Sequence, residues 1–435
     1  MYLRVMRSRH RDKRISFPSF IRNVFVVVSG LGGGHAIALL LMPVLSRRYS
    51  PDDFGVWSVM KTSIAYLTMV STLRYEMAIP LEKDRQVLRS VVWVPLTNAS
   101  IFSMLLLSVW IIERDNLSYL FGINQMYWLS IPLGVLFSAW AQIFSYVLIR
   151  NERFKPIAVY NITQKILQMG IPLLMAVLYK ARAWGLLAGD IFSRFWGLLF
   201  LTWMLAAFLE HFLGHFPDIR HLLLVIKKYK NFPIYTLPAA MLHNLLFVTP
   251  IYFMSLVYGK KEVGFFSLTQ SVLLGPLLLL SQGVAQVFFG RASTLYREQR
   301  EQIYTLFWRT FGILLGIGLL PGLILIAWGP NLFSVVFGAR WVTSGIYARL
   351  LVVGVLAQFC VGPVYQVLNI IGQQKFITIS AMISVGIFIL ISLFVYFMHW
   401  SAKMFVGLYS VIVLMEYSLL LIFTNSSLKN SAYGR

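Results

Sequence analysis

The chain has 435 residues, 58% of them apolar and only 12% charged, with a mean hydropathy of +0.73. Ordinary soluble domains are about 45–50% apolar and about 25% charged, so a water-soluble fold is excluded. Its 38 Lys and Arg against 16 Asp and Glu give +22. No polar domain exists to hold that charge for nucleic acid, so the cations belong in or beside a membrane. The single cysteine excludes a disulfide scaffold and a cysteine-held metal cluster.

A helix needs about 20 apolar residues to cross a bilayer. Twelve stretches meet that requirement: 23–47, 54–79, 87–112, 125–149, 156–179, 184–209, 232–257, 263–290, 304–328, 343–370, 374–398 and 404–425. The expected organisation is a basic N-terminus (1–22), an N-lobe (23–209), a linker (210–231), a C-lobe (232–425) and a tail (426–435). The connections are short, and no soluble domain fits between spans.

In chain order, span 1 carries His35 and the cluster Gly30, Gly32, Gly33 and Gly34, followed by Pro43. Gly32, Gly33 and Pro43, with Pro238 and Pro250 in span 7, are expected bending points. Interrupted spans at matching places in two halves point to a transport site; close helix packing through small residues is the alternative. Span 2 has a stripe at helical spacing: Ser58, Lys61, Thr68, Thr72 and Glu76. A helix running to residue 79 puts Arg74 off this stripe and points it away from Glu76. Span 5 places Asn161, Lys165 and Gln168 on one face, and Lys165 is the deepest cation. In span 6, Asp190 and Arg194 are four apart and can pair within the helix. The linker holds the apolar run Leu222–Ile226 beside Lys227, Lys228 and Lys230, read as a surface-lying segment or a plain basic loop. Span 8 offers Ser267, Ser271, Gln282 and Gln286 on one face. Spans 9 and 10 contain Arg309 and Arg349, and span 12 contains Glu416.

Of the 38 cations, 23 fall on the side of both termini, 9 on the other, and 6 within spans. Short-loop Lys and Arg stay cytoplasmic, so both termini are expected there. The segments Tyr49–Ser58 and Tyr258–Ser267 share a pattern at a constant offset of 209: Tyr, three residues, acid, apolar, Gly, apolar, aromatic, Ser. Six spans separate them, which predicts two six-helix bundles related by an axis along the membrane normal. The result is an all-α polytopic membrane protein with a central cavity.

Ionisable groups at membrane depth need a partner or a water-filled cavity. Cations within spans outnumber the acids Glu76, Asp190 and Glu416, which asks for an anionic guest. Phosphate suits it: arginine donates two parallel hydrogen bonds, and lysine acts as a point charge. The sequence contains no Walker loop, HExxH or GxSxG pattern, so a transporter rather than an enzyme is expected.

Phe20–Phe25, the turn Leu45–Gly55, Leu73-Arg74-Tyr75-Glu76 through Pro80, and Phe337-Gly338-Ala339-Arg340-Trp341 resemble the polysaccharide-biosynthesis flippases. These belong to the multidrug/oligosaccharidyl-lipid/polysaccharide exporter superfamily. The resemblance implies two bundles around a cavity lined by helices 1, 2, 7 and 8. It also implies translocation of an undecaprenyl-pyrophosphate-linked sugar unit across the bacterial inner membrane. Arg74 matches the helix-2 arginine that related lipid flippases use for pyrophosphate, and Arg22 lies near the helix-1 position. The helix-8 position equivalent to Arg74 is Gly283, beside Gln282. The expected substrate site is therefore Arg74, Lys61, Lys165, Arg22 and Gln282. Coupling to a proton or sodium gradient would fall on Glu76, Asp190 or Glu416, and no other cofactor is expected. The expected partners are the lipid-linked oligosaccharide, anionic lipids, and a polysaccharide polymerase with its chain-length partner. The alternative is a cation-coupled multidrug exporter of the same superfamily.

Overall fold

The computed structural model describes residues 17–432 except 83, 180, 181 and 214–216. Side chains are further described except at 17–31, 85–86, 207–213, 243, 278, 286, 297 and 430–432. Twelve helices of at least 20 residues form the body. They are α1 (Phe17–Arg48), α2 (Pro51–Ser71), α3 (Arg85–Phe121), α4 (Ser130–Arg150), α5 (Phe154–Leu178) and α6 (Ala183–Leu213). The second half holds α7 (Leu237–Val257), α8 (Lys260–Glu298), α9 (Glu301–Phe337), α10 (Val342–Val361), α11 (Lys375–Phe397) and α12 (Ala402–Ala432). No strand occurs among the described residues. Eight of these helices (α3, α4, α6 and α8 to α12) are long and apolar enough to cross a membrane, and α7 with its preceding turn adds a bent ninth. The remaining three, α1, α2 and α5, carry the glycines and polar side chains that converge inside the N-lobe.

Helix ends follow local chemistry. Ser50 caps α2 by accepting from the Asp53 amide, while Asp53 accepts from the Ser50 amide, and Pro51 opens the helix. Span 2 does not continue to residue 79. It stops at Ser71, because Leu73 and Arg74 adopt left-handed φ values of 52° and 63°. A single 3₁₀ turn, Tyr75–Ala78, follows. The bending residues also differ from expectation. Gly32 and Gly33 lie in one continuous α1; a Cβ on Gly32 would meet nothing within 4 Å, and close packing is seen at Gly34. A Cβ on Gly34 would come within 3.0 Å of Lys165 Cγ and 3.2 Å of the Asn161 carbonyl, so glycine lets α5 lie against α1. Pro43 sits inside α1, and Ser46 Oγ donates to its carbonyl. The span-7 axis turns by 54° between Leu242 and Asn244, not at Pro238 or Pro250. Pro238 instead follows a π-turn, Phe232–Thr236, because it has no N–H for the carbonyl four residues back.

The halves repeat each other in packing. Helix α1 packs on α5, α5 on α6, α6 on α4, and α4 on both α2 and α3. The equivalent pairs α7–α11, α11–α12, α12–α10, α10–α8 and α10–α9 recur in the second half. The local axis passes between α2 and α8. A Cβ on Gly55 would lie 1.8 Å from the Lys260 carbonyl oxygen, and one on Gly264 would lie 1.8 Å from that of Pro51. Residues 51 and 260, like 55 and 264, are 209 apart, so the repeat read in sequence is a reciprocal contact in space. Only glycine permits two backbones to meet this closely.

This contact closes the face opposite the termini. Ser46 Oγ donates to the Phe337 carbonyl at 3.1 Å, and Trp341 Nε1 donates to the Ser46 carbonyl at 2.8 Å. Arg47 donates to the Val335 carbonyl at 2.7 Å, at the C-terminal end of α9, where a cation meets the helix dipole favourably. Toward the terminus face α8 is exposed at Gln282, Val287 and Phe289, and a Cβ on Gly283 or Gly290 would meet nothing within 4 Å.

Candidate substrate site

The N-lobe gathers Lys61 of α2, Lys165 and Gln168 of α5, and Asp190 and Arg194 of α6. Arg194 Nε donates to Asp190 at 2.9 Å, and its Nη1 donates to Ser138 Oγ at 2.5 Å. Asp190 is 1% exposed, and Gln168 also donates to it. Lys165 Nζ donates to Gln168 Oε1 at 2.7 Å, so Gln168 bridges the lysine and the carboxylate. Lys61 lies within electrostatic reach of Asp190, Arg194 and Lys165, as His35 does of both lysines. Among the described residues, Lys61 has no carboxylate at ion-pair distance. Its Nζ sits 5.0 Å from the centre of the Trp57 ring. Three cations thus share one carboxylate.

Arg74 and Glu76 form a second group nearer the terminus face. The expectation that they point apart is overturned: Arg74 Nη1 lies 3.8 Å from Glu76 Oε1. The left-handed turn removes the helical wheel on which that expectation rested. Glu76 is fully buried and accepts from Gln142 Nε2 at 2.9 Å. Gln142 was not singled out, although Ser138, Gln142 and Ser145 share one face of span 4 at helical spacing. Arg74 and Lys61 are not joined by any described contact. Gln282 is exposed on α8, and Glu416 is buried in α12. The Arg22 side chain lies outside the described residues. Arg309 and Arg349 are exposed, and Arg349 donates to the Ala327 carbonyl at 3.0 Å.

The linker contains a helix, Ile219–Lys228, begun by Asp218, whose side chain accepts from the Arg220 amide. It buries Val225 against the N-lobe and exposes Ile219, Leu223 and Ile226. Glu82 anchors it, accepting from Lys228 Nζ at 2.6 Å and Tyr229 Oη at 3.0 Å. Burial disfavours the Glu82 carboxylate, but bonds from Lys228, the Asp84 amide and Tyr229 outweigh that and hold its pKa below 4.5. The Glu82 hydrogen bond raises Lys228 above 10.5.

The family described as polysaccharide biosynthesis protein matches residues 44–345. The chain belongs to this family. No curated protein matches it as a relative. Among solved structures, the lipid II flippase MurJ in an inward closed conformation is similar at TM-score 0.69 and 13% identity, over 92% of this chain and 88% of that one. The Vibrio cholerae MATE transporter VcmN, solved as a point mutant, gives 0.62 at 14% identity over 96% and 99%. An inward-facing multidrug resistance MATE family transporter of the MOP superfamily gives 0.59 at 15% identity over 94% and 96%. At these identities the likeness is one of fold: the twelve-helix, two-lobe architecture.

Proposed function

We propose that this family member translocates a polyprenyl-diphosphate-linked oligosaccharide across the bacterial inner membrane for surface polysaccharide assembly. The observation that carries this reading is the surplus of cations over carboxylates in the N-lobe cluster. Lys61 lacks an anionic partner, and Lys165 is held only by a neutral amide. Charges in a low-dielectric setting are costly without compensation, and a diphosphate supplies it. Arg74, just beyond the terminus-side end of α2, would receive the headgroup first. The lobes meet at the far face and α8 is exposed toward the termini, which fits a state loading from the cytoplasm, with both termini cytoplasmic. The prenyl chain stays in lipid while the lobes rock between two accesses.

The test is flipping of labelled lipid-linked oligosaccharide in proteoliposomes. Lys61→Ala with Arg74→Ala is expected to weaken substrate binding by roughly 10- to 100-fold, the size of lost hydrogen bonds to charged groups. Unchanged transport would overturn the diphosphate site. The alternative, export of small cationic compounds, wants carboxylates free to meet the drug. Here Asp190 and Glu76 are each engaged by an arginine and a glutamine. Stabilisation of the protein by organic cations but not by lipid diphosphates would favour that alternative.

A further inference from the structure

Three acids lie within the spans, and two of them have an arginine and a glutamine as partners, although Glu76 Oε2 accepts no hydrogen bond. Asp190 is held by Arg194 and Gln168, and Glu76 by Arg74 and Gln142. Glu416 is different. It is 9% exposed on α12, and among the described residues no cation reaches ion-pair distance and no hydrogen bond forms. The helices packed on α12 are α9, α10, α11 and the short turn Val367–Ile370. Their charged groups point elsewhere: Arg309 of α9 is exposed, Arg349 of α10 donates to the Ala327 carbonyl, and Lys375 of α11 lies over the Phe376 ring. Lys429 lies on α12 itself, more than three turns away. The titratable groups within electrostatic reach are phenols: Tyr365, Tyr409 and Tyr417. Cys360 of α10 is buried and uncharged as a thiol.

A small pocket of about 20 Å³, room for about one water, lies in the C-lobe between α7, α8, α10 and α12, lined in part by Phe247, Gln270, Gln358, Tyr409 and Val413. Glu416 does not line this pocket itself; its spacing of seven and three from Tyr409 and Val413 puts it on the same face of α12, about one turn beyond. A lone carboxylate at membrane depth needs a positive counterpart. Glu416 belongs to no metal-type cluster: among the described residues no three His, Cys, Asp or Glu come together. Phenols and amides suit a carboxylic acid, which donates one hydrogen bond and accepts others.

We propose that Glu416 is a proton-carrying site of the C-lobe, loaded and emptied as the lobes alternate. The proton comes from water on one side of the membrane, forms the O–H bond of the acid, and leaves to water on the other. The proposal rests on the transporter reading but not on the identity of the substrate.

Infrared difference spectra of the purified protein between two pH values are expected to show a protonated-carboxyl band that disappears in Glu416→Gln. No such band, or one that survives the substitution, overturns the proposal without involving transport. In proteoliposomes, wild-type flipping is expected to rise several-fold under an imposed pH gradient. The Glu416→Gln variant should still flip substrate without a gradient but lose that rise. Failure of both proteins to flip anything sinks the proposed function and leaves the infrared result to decide this one. A retained pH response in the variant overturns the proton site. So does a response in wild type to sodium alone at constant pH that the variant loses.

Discussion

Asp190 is the one carboxylate shared by Arg194, Gln168 and the nearby lysines, and this makes it the anchor of the N-lobe. Breaking a buried pair leaves an uncompensated charge, which costs about 3–5 kcal/mol. Asp190→Asn is therefore expected to lower stability by about that much, read from denaturant or thermal unfolding in detergent. Lys61 should behave oppositely. It has no carboxylate at ion-pair distance; Asp190 attracts it from farther off, while Arg194 and Lys165 repel it. Lys61→Met removes a desolvated charge that has no ion-pair partner and keeps the aliphatic stem, so unfolding should shift toward higher temperature while flipping falls. A stability gain with a functional loss is the signature of a residue kept for its ligand. Sequence spacing exposed the polar stripe of α2 and the pair on α6. It did not expose their meeting, since which faces converge depends on how α2, α5 and α6 pack. Nor could it place Arg74, because the left-handed turn at Leu73 and Arg74 has no glycine to announce it.

At the scale of elements, the crossing of α2 and α8 and the linker helix each make a measurable claim. Gly55→Ala or Gly264→Ala drives a methyl into a carbonyl oxygen, and overpacking of this kind typically costs about 1–3 kcal/mol. The far face is expected to part. Spin labels on the α1–α2 and α9–α10 turns should move apart in either variant, and an unchanged distance would refute the seal. For the linker helix, the Glu82 carboxylate is held below its ordinary range, so docking is intact above that range and lost as pH falls through the lowered pKa. Lys228 is raised, so its share is present below 10.5 and lost only as pH rises through the higher value. The docked state therefore spans neutral pH. Amide exchange of residues 219–228 should stay slow there and quicken in acid, whereas Glu82→Gln should exchange fast already at neutral pH. The linker's apolar run was legible in sequence. Its anchor was not, because Glu82 and Lys228 are 146 residues apart.

For the whole molecule, alternating access requires the clasp of Ser46 and Arg47 with Val335, Phe337 and Trp341 to open. Trp341 is fully buried, and its ring meets Phe54 and Phe265 from both lobes. Trp341→Ala is expected to shift the population toward a far-face-open state. Reactivity of a cysteine placed at Ser63 with an impermeant reagent added from that face would report it. No increase over the wild-type background would place the gate elsewhere.

The sequence by itself determined the twelve long helices, the uneven spread of cations along them and the repeat at an offset of 209. Each is written in hydropathy, charge or spacing along a single helix, and a bilayer acts on those properties locally. Only the tertiary structure decided that the two repeated glycines face each other, that three cations share Asp190, and that Glu416 is left without one. Those facts belong to the packing of helices distant in the chain, where a side chain's meaning is set by its neighbours across the lobe.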